Sequence, residues 1–117
     1  MRKSLLFASI SILLIVLANA CSKSGGDDSN NTNCSGVTPT FSGDVNPIIQ
    51  TFCNQPACHA TGSTNGPGAL TNHAQVFANR FSIRDQVDAG LMPQNTTLTQ
   101  AQKQAIVCWV NNGAPNN

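Results

Sequence analysis

The motif Cys53-Asn-Gln-Pro-Ala-Cys58-His59 lies in the middle of this 117-residue sequence. It is a C-x4-C-H pattern, a lengthened form of the C-x2-C-H pattern that marks covalent attachment of haem. In such an attachment two thiols bond to the two vinyl groups on one edge of the porphyrin, and the histidine that follows places an imidazole nitrogen on the iron. Pro56 discourages the longer loop from continuing as a helix. The pattern predicts one covalently bound haem c on Cys53, Cys58 and His59.

The motif by itself does not distinguish haem attachment from two other interpretations of the same residues. Cys53 and Cys58 can form a disulfide, in which case His59 is incidental. The two cysteines can also hold zinc together with His59 and His73, because cysteine and histidine are the usual ligands of structural zinc. Evidence from the rest of the chain is needed to choose among haem, a disulfide and zinc.

Helical patterns flank the motif on both sides. Upstream, four apolar residues fall at positions i, i+3, i+4 and i+7 and predict a helix that ends at Cys53: Val45, Ile48, Ile49 and Phe52. Ser42 or Asp44 is expected to cap the start of this helix. Downstream, Asn72 is expected to cap a short helix that runs to Arg80, and another helix over about 82–89 is expected to stop at Gly90.

The final helix has the clearest signals in the sequence. Thr99 and Gln102 form a Thr-x-x-Gln capping box, and Gly113 is a natural stop. Ile106, Trp109 and Val110 form its inner stripe. Trp109 is expected either to contact the edge of the haem or to serve as a core tryptophan. These sequence patterns therefore predict an all-α domain of about four short helices.

Met92 is a candidate ligand on a loop between two predicted helices. Pro93 biases Met92 towards an extended conformation and ends any helical continuation. A methionine presented in this way can bind haem iron opposite a histidine, and Met/His ligation raises the reduction potential. The commoner role of methionine is to fill gaps in a core, so that alternative stays open as well.

The first forty residues predict export and a flexible attachment. Arg2 and Lys3 precede a nearly continuous apolar run, which is typical of a signal peptide over 1–20. The stretch Leu17-Ala18-Asn19-Ala20-Cys21 resembles a lipobox, so Cys21 is expected to carry the lipid that anchors the chain to a bacterial membrane, on the periplasmic face or at the cell surface. The segment over 21–40 begins with a polar stretch and is expected to be a flexible tether. The folded domain is expected over 41–117.

Five cysteines leave one unpaired, and lipidation of Cys21 accounts for it. An unpaired thiol at Cys108, beside Trp109, would be a liability in an oxidising compartment. Cys34 is its available partner. We therefore expect a Cys34–Cys108 disulfide, which leaves Cys53 and Cys58 for the cofactor.

The charge of the chain narrows the classes of function. Six Lys and Arg stand against five Asp and no Glu, and removal of Arg2 and Lys3 with the signal peptide leaves a nearly neutral protein. A nucleic-acid-binding protein would show a basic patch or stripe, so no nucleic acid is expected as a partner. The sequence shows no Ser/His/Asp constellation, phosphate-binding loop or carboxylate pair, so it is not predicted to be an enzyme.

Together these features resemble small bacterial cytochrome c-like domains, many of which are predicted lipoproteins. The resemblance covers about 41–117 and depends on four stretches: Phe41-Ser-Gly-Asp-Val-Asn-Pro-Ile-Ile, the motif from Cys53 to His59, Leu91-Met92-Pro93, and Trp109-Val-Asn-Asn-Gly-Ala114. The chain departs from the family in the x4 spacing and in the short segment between His59 and Met92.

The resemblance implies a cytochrome c-like fold around a covalent haem, with His59 as proximal ligand and Met92 as distal ligand. His73 is the rival distal ligand. Pro67 resembles the loop proline whose carbonyl orients the proximal imidazole. The expected function is single-electron transfer with redox protein partners in the cell envelope. The alternative is a disulfide- or zinc-stabilised surface lipoprotein module that binds a partner.

Overall fold

The computed structural model describes residues 32–117, and this part of the chain is helical without strands. The first helical segment, α1, consists of α-helical Asn46–Ile48 between two π-helical stretches, Phe41–Val45 and Ile49–Cys53. The other helices are α2 (His73–Ala78), α3 (Arg80–Asp88) and α4 (Gln100–Asn111). The prediction of an all-α domain with about four short helices is confirmed.

Thr40, and not Ser42 or Asp44, caps the start of α1. The Thr40 hydroxyl accepts a hydrogen bond from the Gly43 amide at 3.2 Å. The Asp44 carboxylate in turn accepts bonds from the Thr40 amide at 2.7 Å and from the Thr40 hydroxyl at 2.9 Å. The sequence prediction was therefore wrong about the cap, because Asp44 lies within the first turn and reaches back to Thr40.

The caps of α2 and α4 agree with the sequence. The Asn72 side chain accepts a hydrogen bond from the Gln75 amide at 3.1 Å and begins α2. Thr99 and Gln102 form the predicted capping box, with bonds of 3.2 Å and 2.9 Å. Each bond satisfies an amide at a helix start that has no partner within the helix. The α3 helix begins at Arg80, directly after Asn79, and so starts slightly earlier than predicted.

The α4 helix is central to the core, since it packs against the start of α1 and against α3. Its inner residues are buried with apolar side chains of both neighbours: Val45, Ile49, Ile83, Val87, Ile106, Trp109 and Val110. Trp109 is fully buried, and its indole N–H donates to the carbonyl of Pro115 at 2.9 Å. The C-terminal tail also reaches α1, because the Ser42 amide donates to the Asn117 carbonyl at 2.8 Å.

The segment before α1 is attached to the domain. The predicted Cys34–Cys108 disulfide is present and joins this segment to α4. The side chain of Thr32 is buried and donates to Asp88 at 2.6 Å, at the end of α3. Asn112 donates to the Val37 carbonyl at 3.0 Å. Residues 32–40, which the sequence assigns to the tether, therefore lie against the helices.

The rest of the predicted export and anchoring region lies outside the described residues. This applies to the signal peptide over 1–20, to Cys21 and to the tether up to residue 31. Between residues 32 and 117, no helix has the length and apolar character needed to cross a membrane.

Candidate functional site

A cavity of about 590 Å³ lies between the end of α1, the loop that follows it, α3 and the loop before α4. Its volume falls within the ~300–1,000 Å³ that is usual for small-molecule and cofactor sites. Five of the residues predicted to bind a cofactor line this cavity: Cys53, Cys58, His59, Pro67 and Met92. Residues from distant parts of the sequence are thus brought to one site.

The lengthened cysteine loop folds back on the end of α1. The amide of His59 donates to the Cys53 carbonyl at 3.0 Å, and the amide of Cys58 donates to the Gln55 carbonyl at 2.8 Å. Pro56 lies inside this turn, where its lack of an N–H leaves no donor unsatisfied. The backbone between the two cysteines therefore bulges while the cysteines and His59 stay at the cavity.

Cys53 and Cys58 are both free thiols, so the alternative of a disulfide between them is not what the structure contains. The zinc alternative also lacks its ligand set. Within residues 32–117, no three His, Cys, Asp or Glu side chains are grouped so that they could hold a metal ion. His73 in particular does not line the cavity that contains Cys53, Cys58 and His59.

The imidazole of His59 is oriented by a backbone carbonyl. Nδ1 lies 2.9 Å from the carbonyl oxygen of Gly68. A carbonyl oxygen only accepts, so Nδ1 is the donor, and in the neutral ring this leaves the lone pair on Nε2. This arrangement of a histidine is common at metal sites, where the second ring nitrogen donates to a carbonyl or carboxylate.

The carbonyl that the family resemblance assigns to Pro67 is supplied by the next residue, Gly68. Gly68 has a φ of +82°, a conformation that residues with a side chain rarely adopt. A Cβ atom at Gly68 would also lie 3.4 Å from the carbonyl oxygen of Ser63. The chain can turn its carbonyl to His59 here because the residue is glycine. Pro67 itself lines the cavity.

The walls of the cavity are largely apolar and contain no ionic side chain. Phe52, Leu70, Ile83 and Val87 are among the apolar residues that line it. None of the lining residues, all within the described part of the chain, is Asp, Glu, Lys or Arg. A bound group would therefore be held by shape, by apolar contact and by the few donor atoms already named.

Met92 reaches the cavity from the loop after α3. The Leu91 and Met92 amides both donate to the carbonyl of Gln86, at 2.9 Å and 3.2 Å, so the chain turns immediately before Pro93. Met92 is half-buried and lines the cavity, as does Pro93. The thioether is thus available to a group bound between α3 and the cysteine loop.

His73 and Trp109 are not brought to the cavity. The His73 ring packs edge-on against Phe41 at 4.7 Å between centroids and stacks on Phe77 at 5.6 Å. Its Nε2 lies 3.2 Å from the carbonyl oxygen of Ala114, which ties the ring to the C-terminal tail. Trp109 lies in the same aromatic cluster. Trp109 belongs to the core and His73 is half-buried beside it, and neither side chain lines the cavity.

Ser63, Asn65 and Gly68 contribute to the site, although the sequence did not single them out. They belong to a Gly-, Ser- and Asn-rich stretch whose composition predicts only a loop. Ser63 and Asn65 donate to backbone carbonyls of the cysteine loop, and Gly68 orients His59. Only the proline in this stretch gave a signal, and it pointed one residue away from the carbonyl that is used.

The buried position of Cys53 sets its reactivity. Burial, followed by the proximity of Cys58, raises the pKa of the Cys53 thiol to about 11. The thiolate is the reactive form, and at pH 8 a thiol of this pKa is ionised to only ~0.1%. Cys58 is more exposed.

We expect iodoacetamide at pH 8 to label Cys58 of the folded, haem-free protein well before Cys53. Peptide mass spectrometry measures the two rates, and the urea-unfolded chain is the control in which both cysteines label readily. Equal labelling of the two thiols in the folded protein would contradict the buried position of Cys53.

No protein-family model matches this chain, and neither does any curated protein or solved structure.

Proposed function

We propose that this chain is a c-type haem protein that transfers single electrons in the cell envelope. The observation that carries the proposal is the meeting of two free thiols, an oriented imidazole and a thioether at one apolar cavity. Each of these groups has a defined role in attaching haem or ligating its iron. Neither a disulfide nor a zinc site needs all four.

The donor set fits a covalent haem. Cys53 and Cys58 would bind the vinyl edge of the porphyrin through thioethers. Nε2 of His59 would be the proximal ligand, because Nδ1 already donates its hydrogen bond to the Gly68 carbonyl. Met92 would supply the second iron ligand through its thioether sulfur. When bound, haem supplies an iron that alternates between two oxidation states.

The cavity lining would favour the reduced state. The ferric haem carries one more positive charge than the ferrous haem, and the lining contains no Asp or Glu to stabilise that charge. A largely apolar wall penalises the charged form as well. Methionine as a ligand raises the potential further. We therefore propose an electron carrier with a comparatively high potential. Two protein ligands leave no open position for a substrate, so we do not propose an enzyme.

The disulfide supports the proposed compartment. Structural disulfides persist in oxidising environments, which include the bacterial periplasm and the cell surface. A Cys34–Cys108 bridge therefore agrees with export and with attachment to a membrane through lipid on Cys21. The partners would be redox proteins of the cell envelope. A partner-binding lipoprotein module is less well supported, because it does not account for free thiols beside His59 and Met92.

Co-expression of the full chain with a haem-attachment machinery tests the proposal. We expect a band that retains peroxidase stain on a denaturing gel and a pyridine haemochrome spectrum of c-type haem. The double variant Cys53→Ser/Cys58→Ser is the matched control and should be unstained. A colourless wild-type protein from cells that attach haem to a reference cytochrome would contradict the proposed function.

A further inference from the structure

The longer cysteine loop is held by two side chains from the following loop. The Asn65 amide donates to the Ala57 carbonyl at 3.0 Å and to the Cys58 carbonyl at 3.4 Å. The Ser63 hydroxyl also donates to the Cys58 carbonyl. Asn65 and Ser63 are joined as well, since the Asn65 amide N–H donates to the Ser63 hydroxyl at 3.2 Å. The carbonyls just before His59 thus have side-chain partners.

The backbone of Asn65 connects this group to the imidazole. The Asn65 carbonyl accepts a hydrogen bond from the Gly68 amide at 2.9 Å, and the Gly68 carbonyl accepts from Nδ1 of His59 at 2.9 Å. The amide of Leu70 donates to the His59 carbonyl at 2.8 Å. Both the ring and the backbone of His59 are therefore fixed by residues 63–70.

We propose that Asn65 and Ser63 are positioning residues that hold the C-x4-C-H loop and, through Gly68, set the orientation of the His59 imidazole. The inference rests on the proposed function for its haem-bound consequence, but its geometry belongs to the protein alone. Two additional residues between the cysteines give the loop more conformations than the shorter motif has. Hydrogen bonds to its carbonyls remove those conformations before the cofactor binds.

The first test uses the full chain without haem. Two-bond ¹H–¹⁵N NMR of the His59 ring reports which nitrogen carries the proton, and in the wild type we expect the Nδ1–H form. In Asn65→Ala and in Ser63→Ala the nitrogen shifts of the His59 ring should move towards those of a ring that exchanges between its two tautomers. Ser63→Thr keeps the hydroxyl and should restore the wild-type shifts. Asn116→Ala is the matched control, because Asn116 is an exposed asparagine that does not line the cavity and makes no hydrogen bond within 32–117.

The second test uses the haem-bound protein. The proton shifts of the haem methyl groups in the ferric state depend on the plane of the axial imidazole. We expect Asn65→Ala to change the order or spread of these shifts, and Asn116→Ala and Ser63→Thr to leave them as in the wild type. Circular dichroism checks that each variant is folded. If Asn65→Ala is unfolded, the haem methyl shifts of Ser63→Ala are compared with those of the wild type instead.

The outcomes separate this inference from the proposed function. If the wild type takes up no haem, the proposed function fails, and the test on the haem-free chain still decides the role of Asn65 and Ser63. If haem is attached and Asn65→Ala leaves both the tautomer and the haem methyl shifts unchanged, the positioning role is overturned while the proposed function stands.

Discussion

Removal of the Cys34–Cys108 disulfide should lower the free energy of unfolding by about 4 kcal/mol. The bridge closes a loop with a sequence separation of 74, and a cross-link of that span restricts the unfolded chain strongly. The free energy of unfolding of a native protein is about 5–15 kcal/mol in total, so such a loss leaves the protein only marginally stable. The double variant Cys34→Ala/Cys108→Ala, unfolded in urea without haem, measures the effect.

The reductant dependence of unfolding provides the control. Dithiothreitol should shift the urea midpoint of the wild type towards that of the double variant, and it should leave the midpoint of the variant unchanged. Cys53 and Cys58 are free in both proteins, so they do not contribute to the difference. A double variant that unfolds within about 0.5 kcal/mol of the oxidised wild type would contradict a stabilising role for the bridge.

Substitution of Met92 should have the largest effect on the haem-bound protein. Met92→Leu keeps an apolar side chain of similar volume and removes the sulfur. If Met92 is the distal ligand, the long-wavelength sulfur-to-iron absorption band of the ferric protein disappears. The reduction potential should fall by on the order of 0.1 V or more, since axial ligands set haem potentials over a range of about 0.8 V.

His73→Gln is the matched comparison, because His73 is the other residue considered as a distal ligand. Its ring is packed against Phe41 and Phe77 and bound to the Ala114 carbonyl, away from the cavity. We expect His73→Gln to keep the sulfur-to-iron band, with a modest loss of stability. An unchanged band in Met92→Leu would reject Met92 as the ligand, and loss of the band only in His73→Gln would point to a rearranged core.

Local signals in the sequence were sufficient for most of the helices. Thr99 with Gln102 and Asn72 are capping residues whose bonds lie within one turn, so they could be predicted without tertiary structure. The cap of α1 was missed because Thr40, Ser42 and Asp44 are all good capping residues, and the choice depends on the carboxylate reaching back to Thr40.

The pairing of Cys34 with Cys108 could also be predicted, although no local pattern links them. The other cysteines had uses assigned from their own neighbours, which left these two. By contrast, nothing near His73 in the sequence indicates that its ring packs with Phe41 and Trp109. That cluster is produced by the packing of α1, α2 and α4, which periodicity alone does not specify.

The sequence marks four of the residues that meet at the cavity, but not the residues that support them. Cys53, Cys58 and His59 are marked by spacing, and Met92 by the proline after it. The roles of Gly68, Ser63 and Asn65 depend on the path of an irregular loop. Hydrogen bonds from a loop to backbone carbonyls leave no fixed spacing in the sequence.

The intact mass of the denatured protein shows whether haem is covalently attached. After co-expression with a haem-attachment machinery, the wild type should keep the added mass of one haem through denaturation and acid extraction. Cys53→Ser and Cys58→Ser should each retain at most one thioether, and the double variant should show only the mass of the polypeptide. A wild-type chain without the added mass, from cells that load a reference cytochrome, would contradict covalent attachment at Cys53 and Cys58.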